Sequence, residues 1–136
     1  MRVEVYDTTL RDGTQGADVE FSVEDKLRCA RALDELGVDF VEGGWPGSNP
    51  RDLEFFRRAA REVWRHTRIV AFGSTRRADV AAHRDGNLLT LLEAQTEWVA
   101  VFGKSWDLHV RAALRTSLEE NLRMIADSVR FLKAQG

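Results

Sequence analysis

Four short, nearly unbroken apolar runs punctuate this chain, at Val3–Asp7, Val38–Gly43, Ile69–Gly73 and Trp98–Gly103, and each ends in a polar or glycine-rich turn. Such runs predict strands buried on both faces of a parallel sheet. Between them the apolar positions change to helical spacing, which predicts crossover helices. Ser22-Val23-Glu24-Asp25 reads as a capping box, a hydroxyl followed three residues on by a carboxylate that reaches back. Val23, Leu27, Ala30, Leu33 and Leu36 then share one stripe, and Gly37 stands where a left-handed stop would clash with any Cβ. Asn49 as cap with Pro50 at the first helical position predicts a second helix running to about His66. A third is predicted over Asn87–Ala94. A fourth, over Ser117–Gln135, carries Leu118, Leu122, Ile125, Val129 and Leu132 at helical spacing.

A strand roughly every thirty residues is the spacing of successive βαβ units. Two architectures use them. A doubly wound dinucleotide domain wants G-x-G-x-x-G after a strand, and neither Asp12-Gly13-Thr14-Gln15-Gly16 nor Gly43-Gly44-Trp45-Pro46-Gly47 has that spacing. The other is the α/β class of the (β/α)8 TIM barrel, which takes about 250 residues. Four units in 136 residues make half of one.

Composition narrows the function classes. With 43% apolar and 31% charged residues and only 2 Pro, the chain is one folded domain without a linker. The 20 Lys plus Arg and 22 Asp plus Glu are interspersed, so no basic block steers it to nucleic acid. No apolar run approaches the ~18 residues of a membrane helix, and the N-terminus enters a strand at once rather than a signal peptide. Cys29 stands alone and closes no internal disulfide. The expectation is a soluble cytoplasmic protein with neither nucleic acid nor membrane as partner.

In a barrel, chemistry gathers at the C-terminal ends of the strands. Those ends carry Asp7, Arg11, Asp12 and Gln15, then Glu42, then Ser74, Thr75, Arg76 and Arg77, then Lys104, Ser105, Asp107 and His109. Loop ends are polar in most proteins, so position alone is weak. Glu42 is stronger, because a carboxylate at the edge of an apolar strand needs a partner to offset its desolvation. An arginine from the neighbouring strand is the natural one. Arg76-Arg77 reads equally as an anion site, for a CoA phosphate, or as an exposed pair. Trp45 and Trp106 read equally as pocket walls or as packing. His66, His83 and His109 form no H-x-H or H-x-x-x-H pair, so no complete metal site is legible. His66 reads as a helix-end residue on terminal carbonyls, and Cys29 as core filler.

The run Asp7-Thr8-Thr9-Leu10-Arg11-Asp12-Gly13-Thr14-Gln15, with Glu42 at the end of the second strand, resembles the 2-isopropylmalate, homocitrate and citramalate synthase family, whose catalytic barrel is similar to HMG-CoA lyase. Val41-Glu42-Gly43-Gly44-Trp45-Pro46-Gly47-Ser48-Asn49-Pro50, Ala71-Phe72-Gly73-Ser74-Thr75-Arg76-Arg77 and Phe102-Gly103-Lys104-Ser105-Trp106-Asp107-Leu108-His109-Val110 resemble the citramalate branch. The resemblance spans the chain but only the first half of the family's barrel.

It implies that Asp12 is a carboxylate ligand to a divalent metal (Mg, Mn or Zn) and Arg11 the oxyanion-stabilising arginine. Glu42 would hold Arg11 through a bidentate salt bridge, with Gln15, Ser74 and Arg76 on the substrate side. The activity implied is a Claisen-type condensation of acetyl-CoA with pyruvate, on the route to isoleucine. The family's His-x-His metal pair is absent here, so the expectation is an N-terminal half-barrel fragment, residues 1–136, that is inactive by itself. Alternatives are a 2-isopropylmalate or homocitrate synthase, an HMG-CoA-lyase-type C–C lyase, or a non-catalytic half-barrel module. Open edges on the first and fourth strands predict a homo-oligomer.

Overall fold

A computed structural model describes residues Met1–Gly136. Its elements run β1 (Tyr6–Asp7), α1 (Val23–Leu36), β2 (Phe40–Gly44), α2 (Pro50–Ala59), β3 (Arg68–Ser74), α3 (Gly86–Glu93), β4 (Trp98–Phe102), α4 (Asp107–His109) and α5 (Leu118–Lys133). The strands form one parallel sheet in the order β1-β2-β3-β4, each joined to the next through a helix. This is the half-barrel arrangement expected from the spacing. No helix is long and apolar enough to cross a membrane.

Alternation along the strands assigns each residue to one of two faces. Val41 and Ala71 pack with Leu27, Phe55, Phe56, Leu88 and Leu91 into a core between sheet and helices. Gly43 and Gly73 belong to the same face; a Cβ there would run into Phe55 and Leu91, so their lack of one sets the helices close to the sheet. The opposite face carries Tyr6, Phe40, Phe72, Trp98 and Phe102, joined by ring contacts from 5.1 to 6.2 Å between Tyr6 and Phe40, Phe40 and Trp98, and Phe72 and Phe102. No helix covers it, and Tyr6, Trp98 and Phe102 are 43%, 48% and 39% exposed. Burial on both faces, the expectation from the apolar runs, therefore holds for one face only.

Local signals placed the helix starts well. Ser22 and Asp25 form the reciprocal capping box, and Gly37 ends α1 at φ 83°, in the left-handed region. Asn49 caps α2 with Pro50 in its first turn. Asp85 caps α3, and Ser117 caps α5. The first strand is shorter than Val3–Asp7: it has a neighbour on one side only, Val3 and Val5 are exposed, and paired residues begin at Tyr6. The second helix stops at Ala59 rather than near His66. The buried Asp34 carboxylate accepts the N–H groups of Arg65, His66 and Thr67 at 2.8 to 3.1 Å, which turns that segment away from helical bonding. His66 is thus not a helix-end residue. Residues 107–114, not anticipated as an element, form the short α4 and then a π-helical turn, Val110–Leu114, closed by Arg115 at φ 55°.

Asp34 is the hinge-pin of that turn. Burial disfavours its charge, but the three N–H donors outweigh this and hold its carboxyl below the ordinary range. Asp34→Ala should lower unfolding free energy by about 2–4 kcal/mol at neutral pH, through orphaned donors. Because the folded carboxyl is depressed, that stability is present above the unfolded value of about 4 and is lost as pH falls through the folded one. Denaturant titrations should show the wild-type advantage shrinking on acidification; a constant gap would refute the assignment.

Candidate active site

The loop after β1 is built by its own side chains. Asp7 accepts the Thr9 N–H and hydroxyl at 2.9 and 3.0 Å, ending the strand in an Asx-type turn. The Thr8 carbonyl then gathers the N–H groups of Arg11, Asp12 and Gly13 at 2.8 to 3.2 Å. Leu10, wholly buried, enters the helix-side core. Its neighbour Arg11 is thereby delivered over the end of the sheet.

The end of β2 is fixed by a different device. Between Glu42 and Gly44 the register to β3 shifts, a bulge of the kind that re-aims a side chain. Asp52, buried, accepts from Trp45 N–H at 2.8 Å and from Lys26 Nζ, which also donates to the Gly43 carbonyl at 3.1 Å. Gly44 sits at φ 148°, and a Cβ there would overlap the Asp52 carboxylate.

These two devices bring Arg11 and Glu42 together. Glu42 is 2% exposed. Its Oε1 accepts from Arg11 Nε at 2.5 Å, and its Oε2 accepts from the Tyr6 hydroxyl at 2.6 Å. Arg11 Nη1 donates to Asp12 Oδ1 at 2.9 Å, and the guanidinium carbon lies 4.1 Å above the Phe72 ring, a cation–π stack. The expected pairing of Arg11 with Glu42 is present, but it is not bidentate: Tyr6 has taken the second carboxylate oxygen. Burial first, then the Glu42 carboxylate, pushes the Tyr6 phenol well above its ordinary range, so it stays a neutral donor.

The other sequence candidates divide. Asp12 adjoins Arg11 with its side chain 60% exposed. No group of three or more His, Cys, Asp and Glu side chains is placed to hold a metal, so the residues present do not fit a complete metal site. Gln15 is exposed on the 3-10 turn Gly13–Gln15. Ser74 ends β3 half-buried, its hydroxyl donating to the Thr75 carbonyl. Asn87, absent from the sequence candidates, links this point to Trp45: it donates to the Ser74 carbonyl at 2.5 Å and accepts from the Trp45 indole at 2.7 Å. Only the fold, which sets α3 behind the β2 turn, reveals it. Trp45, Ser74, Arg77, Phe102 and Lys104 line a cleft of about 450 Å³ beside the Arg11 cluster. Trp106 is exposed and packs on His109. Cys29 packs against the core, and burial, then Asp7, raises its thiol, the opposite of what a nucleophile needs.

Arg76 needs correcting. Although Arg76 borders the cleft, its side chain is bonded to α5: Nε and Nη2 donate to Asp127, Nη1 to Glu120 and the Arg77 carbonyl, and its N–H to Ser128. A guanidinium so committed is a brace between β3 and α5 and has little left for a substrate anion. Its first effect on titration is at Glu120, which Arg76 and then Arg123 hold down at about 2. Arg76→Ala should raise the Glu120 carboxyl toward the ordinary ~4.3, with Arg123 retaining part of the shift. Carboxyl-carbon NMR titration measures this, and an unmoved Glu120 would contradict the brace.

The chain is similar in sequence and fold to known proteins. (R)-Citramalate synthases match the chain at 50 to 56% identity, that of Geobacter sulfurreducens at 56% over 132 residues, 97% of this chain and 25% of that protein. The homocitrate synthase of Methanopyrus kandleri matches at 40% over 98% of this chain and 32% of its own length. Among solved structures, the HMG-CoA lyase of Bacillus subtilis superposes with a TM-score of 0.69 at 22% identity, covering 98% of this chain and 44% of the lyase, which places the fold among such barrels. The chain spans about a quarter of the length of these (R)-citramalate synthases. The HMGL-like family model matches residues 2–136, and the chain belongs to the HMGL-like family.

Proposed function

We propose that residues 1–136 form the acyl-CoA and 2-oxo acid condensing half-barrel of a citramalate synthase, joining acetyl-CoA to pyruvate. One observation carries the reading: Arg11 is clamped by Glu42 and Asp12 at the mouth of the strands, over Phe72, with its Nη2 group given to no protein acceptor. The 50 to 56% identity to (R)-citramalate synthases, against 40% to a homocitrate synthase, favours pyruvate as the 2-oxo acid.

In this reaction a proton leaves the acetyl-CoA methyl carbon for a base. The carbon attacks the keto carbon of pyruvate, and the ketone's π electrons move onto its oxygen. Protonation of that alkoxide and water cleavage of the thioester C–S bond release citramalate and CoA. Negative charge grows on oxygen in both carbon steps, and Arg11 is the preorganised donor for it. Glu42 holds the guanidinium plane, and Phe72 supports it from beneath. A divalent metal of the family's kind would have Asp12 as this chain's ligand, and the roles assigned to Arg11 and Glu42 stand without it. Gln15 and Ser74 flank the substrate side, with the Trp45–Phe102 cleft beside them to receive the acyl carrier.

A chimaera in which this chain replaces the matching 132 residues of the Geobacter sulfurreducens enzyme should release CoA from acetyl-CoA only when pyruvate is present. Arg11→Ala in it should lower turnover by about 10²- to 10³-fold and pyruvate affinity far less. Equal losses in both would remove Arg11 from the transition state.

The uncovered aromatic face supports a second property, self-association of the isolated chain through β1 and β4, the two strands with a free edge. Size-exclusion with light scattering should show dimers or larger species; a stable monomer at high concentration would count against it.

A further inference from the structure

The Glu42 carboxylate and the Arg11 guanidinium are near enough to form the fork that such groups ordinarily adopt, with two parallel N–H to O bonds. They do not. Oε1 takes Arg11 Nε, while Oε2 takes the Tyr6 hydroxyl. Tyr6 is held for this by strand geometry: it pairs with Phe40 across the β1–β2 ladder, and its ring stacks on Phe40 at 6.0 Å between centroids. Phe40 lies two residues before Glu42 on the same strand face, so phenol and carboxylate meet by register alone. Arg11 Nη1 is given to Asp12, and Nη2 has no protein acceptor.

We infer that Tyr6 is a positioning residue for the proposed condensation: by occupying Glu42 Oε2 it prevents the bidentate Arg11–Glu42 fork and keeps the Arg11 Nη2 donors free for substrate oxygen. This rests on the synthase reading. The logic is one of counting lone pairs and protons. A guanidinium offers five N–H groups, and a fork through Nε and Nη2 would consume one of the Nη2 donors. Without the phenol, rotation of the Glu42 carboxylate brings Oε2 onto Nη2, satisfying the buried charge at the expense of the donor that faces the reaction. Tyr6 thus acts through Glu42 and touches no reacting atom. Its elevated ionisation range suits the task, since a phenolate has no proton to give Oε2.

The test has one arm on this chain and one on the chimaera. In the 136-residue chain, nitrogen NMR of arginine side chains should show Arg11 Nη2 rotating freely in wild type and hindered in Tyr6→Phe, where the fork closes. Tyr6 is the chain's only tyrosine, so ultraviolet absorbance reads its ionisation directly. That titration should move down toward the ordinary ~10 in Glu42→Gln, which removes the negative acceptor. In the chimaera, Tyr6→Phe should lower kcat by about tenfold with KM for pyruvate nearly unchanged, the mark of an interaction made in the transition state. Free Nη2 rotation in Tyr6→Phe, or full turnover, overturns the inference. Should that variant fail to fold, a Tyr6 titration unaffected by Glu42→Gln overturns it equally. A wild-type chimaera without activity rejects the synthase reading instead, and the NMR arm then decides the role of Tyr6 alone.

Discussion

A carboxylate carried into the end of an apolar strand has to be compensated, and the mouth of this half-barrel is arranged around that requirement at Glu42. An isolated buried charge costs several kcal/mol, more than a domain of this size can leave uncompensated. Compensation comes from two directions at once, the guanidinium of Arg11 and the phenol of Tyr6. Each donor is delivered by its own piece of local structure, the Asx turn after β1 and the β1–β2 register. The β2 bulge and its buried Lys26–Asp52 pair hold the acceptor still from the other side.

What could be read from the sequence is what short-range chemistry decides. Ser22, Gly37, Asn49 and Pro50 act within four residues of themselves, and the helix boundaries they mark are those of the structure. The Arg11–Glu42 pairing was legible for a different reason: a charge in an apolar run announces that it needs a partner. The failures come from partners distant in sequence. Asp34 fixes the turn between α2 and β3 by reaching 31 to 33 residues along the chain, and Arg76 finds Glu120 and Asp127 at separations of 44 and 51. Tyr6 looked like one more apolar strand residue, because nothing local distinguishes a packed phenol from one that bonds across a ladder. Asn87 was silent in the same way.

The sheet's two faces have different chemical characters. Towards the helices the residues are aliphatic or glycine, closely packed with Phe55 and Leu91. The open face alternates aromatic rings with cations: Arg11 over Phe72, Arg68 over Phe40 and Trp98, Lys104 over Phe102. Rings tolerate a nearby positive charge that an aliphatic wall would reject. The uncovered face is accordingly suited to enclose polar and anionic chemistry rather than a dry core.

Leu10 has a consequence out of proportion to its chemistry. Wholly buried between Thr9 and Arg11, it ties the Arg11 corner into the folding core of the domain. The corner is therefore cast when the chain folds, and a ligand arriving there meets a surface already set, with no ordering entropy left to be lost by Arg11 at the moment of encounter. Mutations that loosen the helix-side packing around Leu10 would then displace Arg11 before they surfaced as unfolding.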